Sequence, residues 1–240
     1  MTSNEIAIRI KHLRSGYGKF EVLHGVDMEF PRGKISAIIG PNGSGKSTVI
    51  KSIYNIANIY SGKIYLNDEN ITRLNTHDLI RNGIAYIPQG KRVFEELTVL
   101  ENLELGAEFI NDKEVISTRI KEVFRRYPVL EKRKNKLAYG LSGGERQALA
   151  IGRALIQKPE IIIMDEPSIG LSPILQKDLF EMISSLRDEG ITIIIVEQNA
   201  KKAIEIADVT YLLENGEIAL SGDKNVLYER KIKEVYLGGY

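Results

Sequence analysis

The feature that most restricts the fold of this chain is a glycine-rich stretch, GPNGSGKST, at positions 40–48. It fits the pattern G-x-x-x-x-G-K-[ST], follows the β-branched run Ile35–Ile39 directly, and leads into a helical pattern from Ser47 to Ile56. In this context the pattern predicts a phosphate-binding loop between a buried strand and a helix, and therefore an α/β fold. A glycine-rich turn without a ligand is the alternative, but it leaves the strand, the Lys-Ser pair and the helix without a common explanation.

The residue types in this stretch indicate how a nucleotide would be held. Glycines let backbone N–H groups converge on phosphate oxygens, and the following helix adds the positive end of its dipole. Lys46 is expected to reach the β- and γ-phosphates, and the Ser47 hydroxyl to ligate Mg²⁺. The predicted nucleotide-binding residues are Gly40, Pro41, Asn42, Gly43, Ser44, Gly45, Lys46, Ser47 and Thr48. ATP and Mg²⁺ are therefore the predicted ligands.

Two further β-branched runs extend the prediction of a sheet. Ile161–Met164 and Thr192–Val196 are apolar on both alternating faces, as in a parallel sheet that helices cover on both sides. A helix is predicted over Pro173–Leu186, with Ser172 as its N-cap and Gly190 beyond its end. This alternation of strands and helices is typical of an α/β domain with a mainly parallel sheet.

Shorter segments near the N-terminus predict a second sheet. Ile6–Ile10, Val22–Phe30 and Lys63–Leu66 alternate polar and apolar residues between turn signals, which favours a small antiparallel sheet beside the parallel one. Ile84–Ile87 is a further strand candidate. Met1–Arg14 lacks the apolar core of a signal peptide, so we expect a first strand there.

After Gln89 the pattern becomes helical. Thr98 and Glu101 fit a capping box, and apolar residues recur at helical spacing as far as Tyr127. The basic stretch 131–136 is interpreted as a solvated loop. We therefore predict an inserted helical subdomain in this part of the chain.

Length and composition fit one domain and exclude several classes of function. With 240 residues, 43% of them apolar, the chain can bury one large core. A net charge of +1 gives no overall field for nucleic acid, and the absence of cysteine excludes disulfides and thiolate metal sites. No apolar run approaches the ~20 residues that span a bilayer. The predicted domain covers 1–240, with 1–88 and 158–240 as the core with its β-subdomain and 89–157 as the helical subdomain.

A pair of carboxylates, Asp165 and Glu166, directly follows the run Ile161–Met164. The carboxyl edge of a parallel sheet is where ligands bind in such folds. Asp165 is expected to hold Mg²⁺ through water, and Glu166 to orient and activate the attacking water, a general-base effect of about 10²–10⁴-fold. Strand ends often carry acids, but together with the loop at 40–48 this pair predicts hydrolysis of ATP.

A third stretch, LSGGERQ at positions 141–147, leads into another helical pattern. Ser142 and Glu145 fit a capping box, which is one explanation of the stretch. Two glycines beside a helix N-terminus also expose N–H groups that a second phosphate could occupy. Spacing alone leaves both explanations open.

Placed between the loop at 40–48 and Asp165–Glu166, this stretch resembles the signature motif of ABC transporter nucleotide-binding subunits. The resemblance covers essentially the whole chain and implies the ABC type of the P-loop NTPase fold, with two cassettes paired head to tail. Each ATP would lie between the loop of one chain and the signature residues of the other, which are Leu141, Ser142, Gly143, Gly144, Glu145 and Gln147. The resemblance also implies that Tyr17 stacks on adenine, and that Gln89 takes the Q-loop role in Mg²⁺ ligation and catalysis.

Four segments are similar to the smaller ATPase subunit of branched-chain amino acid importers: 90–99, 166–174, 196–200 and 236–239. This resemblance implies a subunit held on the cytoplasmic face of the membrane by permease subunits. It also implies a second ABC ATPase subunit as partner, in a heterodimer or a homodimer, and indirectly an extracytoplasmic solute-binding protein. Urea and amide importer ATPases share much of the pattern, and the ATP motifs do not encode the direction of transport.

Two positions depart from the wider superfamily. Gln198 stands where most ABC ATPases carry a His near the γ-phosphate, and an amide can hydrogen-bond phosphate but carries no positive charge. Ser172 stands at the D-loop position where Asp is usual, and its alternative role is the N-cap of the following helix. Glu166, Gln89 and Gln198 are the expected catalytic residues. The departures leave open a nucleotide-dependent clamp whose partner carries out most of the hydrolysis.

Overall fold

The computed structural model describes residues 5–90, 93–229 and 232. The similar segment at 236–239, together with Lys91 and Arg92 of segment 90–99, lies outside the described residues. The strands are β1 Ile6–Tyr17, β2 Phe20–Pro31, β3 Ile35–Ile39, β4 Asn58–Leu66, β5 Glu69–Asn70, β6 Ile84–Ile87, β7 Ile161–Asp165, β8 Thr192–Glu197, β9 Val209–Glu214 and β10 Glu217–Gly222. The α-helices are α1 Lys46–Ile53, α2 Thr76–Arg81, α3 Val99–Leu105, α4 Lys113–Arg126, α5 Pro128–Lys132, α6 Gly143–Leu155, α7 Pro173–Asp188 and α8 Ala200–Ile206.

The larger sheet has the strand order β10-β9-β3-β8-β7-β6. Its strands are parallel except β10, which pairs antiparallel with β9. Side chains of strand β3, near the centre of this sheet, alternate between two apolar clusters. Ile35 and Ile39 belong to one cluster and Ile38 to the other. Helices therefore cover both faces, and the predicted mainly parallel sheet is confirmed.

The smaller sheet has the order β2-β1-β4-β5, and its pairs are antiparallel, as predicted. Strand β1 continues to Tyr17, seven residues beyond the predicted end at Ile10. The pairing register with β2 shifts between Ile10 and Leu13, and His12 has a φ of 48°. A bulge of this kind interrupts the alternation of polar and apolar residues, which explains why the strand predicted from that alternation ended at Ile10.

Between β6 and β7 the chain is helical, as predicted. Thr98 caps α3 with the predicted capping box, because its hydroxyl accepts from the Glu101 N–H and the Glu101 carboxylate accepts from the Thr98 N–H. The short helix α5 was not predicted, so the interpretation of stretch 131–136 as a loop is wrong for its first two residues. Pro128 stands at the first helical position of α5, where its fixed φ starts a helix. The subdomain boundaries at 89 and 157 stay predictions.

Two helices next to the site differ slightly from their predicted lengths. Helix α1 begins one residue earlier than predicted and ends at Ile53, because Asn55 takes a φ of 54° that no helix continues. Helix α7 begins at Pro173 with Ser172 as its N-cap, as predicted, and runs two residues further, to Asp188. Within the described ranges, no helix is both long enough and apolar enough to cross a bilayer.

The parallel strands bring the three motif-bearing segments to one edge of the sheet. Strand β3 pairs with β8 so that Ile39 lies opposite Glu197, and β7 pairs with β8 so that Asp165 lies opposite Val196. The loop that follows β3, the carboxylates that end β7 and the segment after β8 therefore share the carboxyl edge, where α/β folds bind ligands.

Candidate functional site

The loop at 40–48 is shaped by glycines that stand where no larger residue fits. A Cβ atom on Gly40 would lie 2.2 Å from the backbone oxygen of Leu213 in β9. Gly45 has a φ of 103°, and a Cβ there would lie 2.7 Å from Cδ2 of Leu23. The loop is thus closely packed between β9 and β2. At its turn into α1, Gly45 adopts a left-handed backbone conformation that glycine takes without strain.

Lys46 is buried at the start of α1, with 4% of its surface exposed. Its amine donates to the backbone oxygens of Gly40, at 2.8 Å, and Pro41, at 2.9 Å. Burial lowers the pKa of this amine, although the nearby carboxylates of Glu166 and Asp165 oppose the shift. The cation is therefore held inside the loop, in a poorly solvated position where attraction to a phosphate is strong.

Ser44 supplies a test of whether the loop fits a phosphate group. Its hydroxyl is buried and has no hydrogen-bond partner among the residues that the structure describes. Buried hydroxyls are normally paired, so an orphaned one in a glycine-rich loop fits a ligand with acceptor oxygens. The loop therefore fits the phosphates of a nucleotide.

Asp165 ends β7 and lies next to Ser47. The Ser47 hydroxyl donates to Oδ1 of Asp165 at 3.0 Å, and the Tyr86 hydroxyl donates to Oδ2 at 3.4 Å. Burial, and then the charge of Asp165, raises the pKa of Tyr86, which keeps this hydroxyl a donor. A hydroxyl and a carboxylate side by side are oxygen ligands of the kind that Mg²⁺ prefers, so these residues fit that ion.

Glu166 is 8% exposed and adopts a left-handed backbone with a φ of 46°. Its N–H donates to the backbone oxygen of Val196 at 2.9 Å, which fixes the turn against β8. Oε2 of its carboxylate accepts from the Gln89 amide at 2.7 Å. The structure thus brings together Gln89 and Glu166, which lie 77 positions apart in the chain.

A cleft of about 570 Å³ lies over these groups. Its lining residues are Tyr17, Phe20, Val22, Asn42, Gly43, Gly45, Lys46, Ser47, Thr48, Gln89, Glu166, Ile169 and Gln198. Ten of the predicted site residues are therefore gathered around one space, and the others, Gly40, Pro41, Ser44, Asp165, Ser172 and the signature residues, are not among its lining. A larger cavity of about 980 Å³ lies along β4, but none of the motif residues lines it, so volume alone does not identify the site.

Phe20, Val22 and Ile169 line this cleft but were not predicted from the sequence. Phe20 follows Tyr17 on the β1–β2 hairpin, and its side chain is 74% exposed. An exposed aromatic residue three positions after the predicted adenine-stacking tyrosine is a signal that could have identified it. Ile169 carried no such signal, because only the turn after β7 places it at the cleft.

Tyr17 presents its ring at the open end of the cleft, with 43% of its surface exposed. Its hydroxyl lies 3.5 Å from Oγ1 of Thr48, and the Lys51 amine lies 5.8 Å from the ring centroid. The ring is thus held beside the loop and stays partly exposed, and its adenine-stacking role stays a prediction.

The signature stretch 141–147 does not line the cleft of its own chain. Ser142 and Glu145 form the capping box, with the Glu145 carboxylate accepting from the Ser142 N–H at 2.8 Å. Gly144 also packs closely on α7, because a Cβ there would lie 2.9 Å from Cδ2 of Leu175. The capping box leaves the N–H groups of Gly143 and Gly144 at the first helical turn without an acceptor inside their helix.

A family model described as ABC transporter matches residues 23–169, which include the loop, Gln89, the signature stretch and both carboxylates. The chain belongs to the ABC transporter family. The ABC type of fold predicted from the signature stretch is confirmed with it.

Curated relatives of this ABC cassette align over almost their full length. The high-affinity branched-chain amino acid transport ATP-binding protein BraG of Pseudomonas aeruginosa is 42% identical over 224 residues, which are 93% of this chain and 96% of that protein. The probable branched-chain amino acid transport ATP-binding protein LivF of Archaeoglobus fulgidus is also 42% identical, over 96% of this chain and 98% of that protein. The lipopolysaccharide export system ATP-binding protein LptB of Haemophilus influenzae is 32% identical, with 95% of each chain covered.

Solved structures of ABC cassettes share the fold. A nucleotide-free ATP-binding cassette from an ABC transporter superposes with a TM-score of 0.86 and 31% identity, covering 96% of this chain and 98% of its own. The ADP conformation of such a cassette gives 0.87 and 32%, covering 97% and 99%. The chain is therefore an ABC-type ATPase that binds nucleotide.

Gln198 stands in this ABC cassette where the expected histidine is missing. It lines the cleft together with Glu166. His12, His24 and His77 instead pair with carboxylates outside the cleft. Ser172 caps α7 and accepts from the Leu175 N–H at 3.5 Å, so its N-cap role is observed and its D-loop role stays a prediction.

Proposed function

We propose that this chain is the ATP-hydrolysing subunit of an importer of branched-chain amino acids. The observation that carries the proposal is the cleft in which Lys46, Glu166 and Gln198 meet. Identity supports the choice of solute, since the two relatives that are named for branched-chain amino acid transport are 42% identical and the export relative is 32% identical. Urea or a short amide is the second candidate for the solute, because ATPases of urea and amide importers share much of the sequence pattern.

Each polar residue of the cleft has its own proposed role in hydrolysis. Lys46 binds the β- and γ-phosphates and neutralises their charge, together with the N–H groups of the loop. Glu166 accepts a proton from the attacking water, with its carboxylate oriented by the Gln89 amide. Gln198 hydrogen-bonds the γ-phosphate from the end of β8. Lys46 and Glu166 are buried, and this poorly solvated setting strengthens their electrostatic contacts.

Ser47 and Asp165 would hold Mg²⁺, with the amide oxygen of Gln89 as a third ligand. The ion would supply charge neutralisation on the phosphate oxygens. The hydrogen bond from the Gln89 amide nitrogen to Glu166 supports this proposal, because it leaves the amide oxygen of Gln89 to act as a ligand.

Two chains complete the working site. The signature stretch lies outside the cleft of its own chain, so we assign it to the ATP held by a second cassette, in a heterodimer or a homodimer. Permease subunits would hold the pair at the cytoplasmic face of the membrane and receive the closing movement. An extracytoplasmic solute-binding protein would act on the permease rather than on this chain.

Single-turnover hydrolysis by the cassette dimer tests the catalytic assignment. Glu166→Gln keeps the shape of the side chain and removes its basicity, so the first turnover at this site should slow by at least about 100-fold while ATP still binds. Glu181→Gln, which changes an exposed carboxylate of α7, serves as the control and should have no effect. An unchanged first turnover with Glu166→Gln would show that the chain acts as a clamp and that its partner hydrolyses ATP.

Purification of the intact membrane complex tests the transport assignment. The chain should copurify with permease subunits and a second ABC ATPase, and reconstituted vesicles should accumulate leucine, isoleucine or valine when supplied with ATP and the solute-binding protein. Uptake of urea or short amides instead would reassign the solute. Export of a substrate from the same vesicles would contradict import.

A further inference from the structure

Glu197 is the last residue of β8 and is almost completely buried, with 1% of its surface exposed. Its side chain lines a small cavity of about 310 Å³ that Glu166 and Gln198 also line. A buried carboxylate needs hydrogen-bond donors around it, and it is retained only where those donors are in place. No part of the proposed hydrolysis uses this residue.

The donors around Glu197 come from two separate segments. Its Oε1 accepts from the Ser168 N–H at 2.9 Å, and its Oε2 accepts from the Ser168 hydroxyl at 2.8 Å. The backbone N–H groups of Gln198 and Asn199 lie close enough to lower the pKa of this carboxyl. Backbone N–H groups can only donate, so this position requires a side chain with an acceptor oxygen.

A second route of hydrogen bonds joins the same two segments through α7. The Gln176 amide donates to the backbone oxygens of Ser168, at 3.4 Å, and Leu171, at 3.3 Å. Its Oε1 accepts from the Asn199 amide at 3.4 Å. Glu197, Ser168, Gln176 and Asn199 therefore form a closed ring between the turn after β7 and the turn after β8.

We propose that Glu197 is a positioning residue for ATP hydrolysis. Through its hydrogen bonds with Ser168, it fixes the position of the Glu166 backbone relative to the Gln198 backbone. The proposal rests on the roles proposed above for those two residues. Ser168 lies two positions after Glu166, and Gln198 directly follows Glu197. The left-handed backbone of Glu166 persists only where the surrounding structure fixes it, and Glu197 fixes the far end of that turn.

The pKa of Glu197 allows a positioning role in catalysis to be distinguished from a purely structural role. Burial raises the pKa of this carboxyl, and the hydrogen bonds from Ser168 only partly oppose the shift. A raised pKa means that the ionised carboxylate costs folding free energy at pH values above it. A neutral side chain of the same shape should therefore leave the melting midpoint unchanged or higher, even if catalysis suffers.

Steady-state ATP hydrolysis by the cassette dimer, with purified Glu197→Gln, Ser168→Ala or the double variant as this chain, tests the proposal. Each single variant should lower kcat by about 10- to 100-fold, because a small displacement of reacting groups has effects of that size. The KM for ATP should stay at the wild-type value in each variant, and the melting midpoint of Glu197→Gln should be unchanged or higher. The double variant should be no slower than the slower single variant, since both changes remove one interaction.

Two matched controls make the same chemical changes elsewhere. Glu205→Gln alters an exposed carboxylate on α8, and Ser184→Ala removes a hydroxyl that donates to a backbone oxygen within α7. Both should keep wild-type kcat.

Each unfavourable outcome has its own meaning. Wild-type kcat in Glu197→Gln overturns the proposal, and so does a fall in kcat that is matched by a fall in ATP affinity and melting midpoint. Additive effects of Glu197→Gln and Ser168→Ala overturn the link through their hydrogen bonds. Glu166→Gln in the same assay keeps the two questions apart, because full activity there contradicts the proposed function, whereas loss of activity there with a normal Glu197→Gln contradicts only this inference.

Discussion

The amine of Lys46 shows how a binding group can oppose folding. Burial lowers its pKa, so the folded chain binds this proton less tightly than the unfolded chain does. At every pH where Lys46 is protonated, its charge therefore costs folding free energy. The loop tolerates this cost because the same poorly solvated position makes the cation effective toward phosphate.

Replacing Lys46 by Met should separate binding from stability. We expect the affinity for ATP to fall by at least about 100-fold, because each charge-assisted hydrogen bond contributes about 1.5–3 kcal/mol. Without nucleotide, the melting midpoint should change little, because the lost hydrogen bonds to Gly40 and Pro41 offset the removed cost of burying the charge. Isothermal titration with ATP and thermal unfolding measure the two quantities, and Lys177→Met, on the exposed face of α7, is the control. Undiminished ATP binding would contradict the loop assignment.

The same shift predicts a dependence on pH. Because the Lys46 pKa lies below its ordinary value of 10.5, the free enzyme should lose this proton before an exposed lysine does as the pH rises. The ratio kcat/KM reports ionisations of the free enzyme, so it should decline on the alkaline side with an apparent pKa below 10.5. A profile that stays flat up to that value would show that Lys46 is not the group that binds phosphate.

At the scale of elements, the correctly predicted central strands are those whose own residue types favour a buried strand. The β-branched runs of β3, β7 and β8 are apolar on both faces and bounded by turn residues, which leaves no other stable arrangement. The pair β9–β10 was not predicted, although Asn215 and Gly216, which join the two strands with positive φ values, form the Asn-Gly turn typical of a β-hairpin. Side-chain partners also stayed hidden, since Glu197 and Ser168 are 29 positions apart and only the fold brings them together.

The junction of α3 and α6 makes a prediction about packing between elements. Gly106 ends α3, and a Cβ there would lie 2.5 Å from the backbone oxygen of Arg153 in α6. A backbone atom cannot move aside without opening α6, so Gly106→Ala should lower the free energy of unfolding by about 1–3 kcal/mol. Gly140→Ala is the matched control, because no atom of the described residues outside the immediate chain neighbours lies within 4 Å of a Cβ there. Urea denaturation measures both, and equal stabilities would show that the contact is loose.

At the scale of the whole molecule, the proposed function assigns two separate surfaces of the chain to one kind of ligand. The cleft is lined by residues of the loop, Tyr17, Gln89 and Glu166. The signature stretch lies outside that cleft, at the start of α6, and its first-turn N–H groups have no acceptor inside the helix. Under that assignment, the two surfaces of one chain bind different ATP molecules.

This arrangement predicts how amide hydrogen exchange should depend on protein concentration. With a slowly hydrolysed ATP analogue and Mg²⁺, residues 40–48 should be protected at any concentration, because one chain supplies that contact. Residues 141–147 should gain protection only where dimers form, and should lose it on dilution while the loop stays protected. Lys46→Met should abolish protection at both places, since the partner's signature binds nucleotide only when the loop of the first chain holds it. Protection of 141–147 that persists at concentrations too low for a dimer would place the nucleotide within a single chain, and the shared site would have to be abandoned.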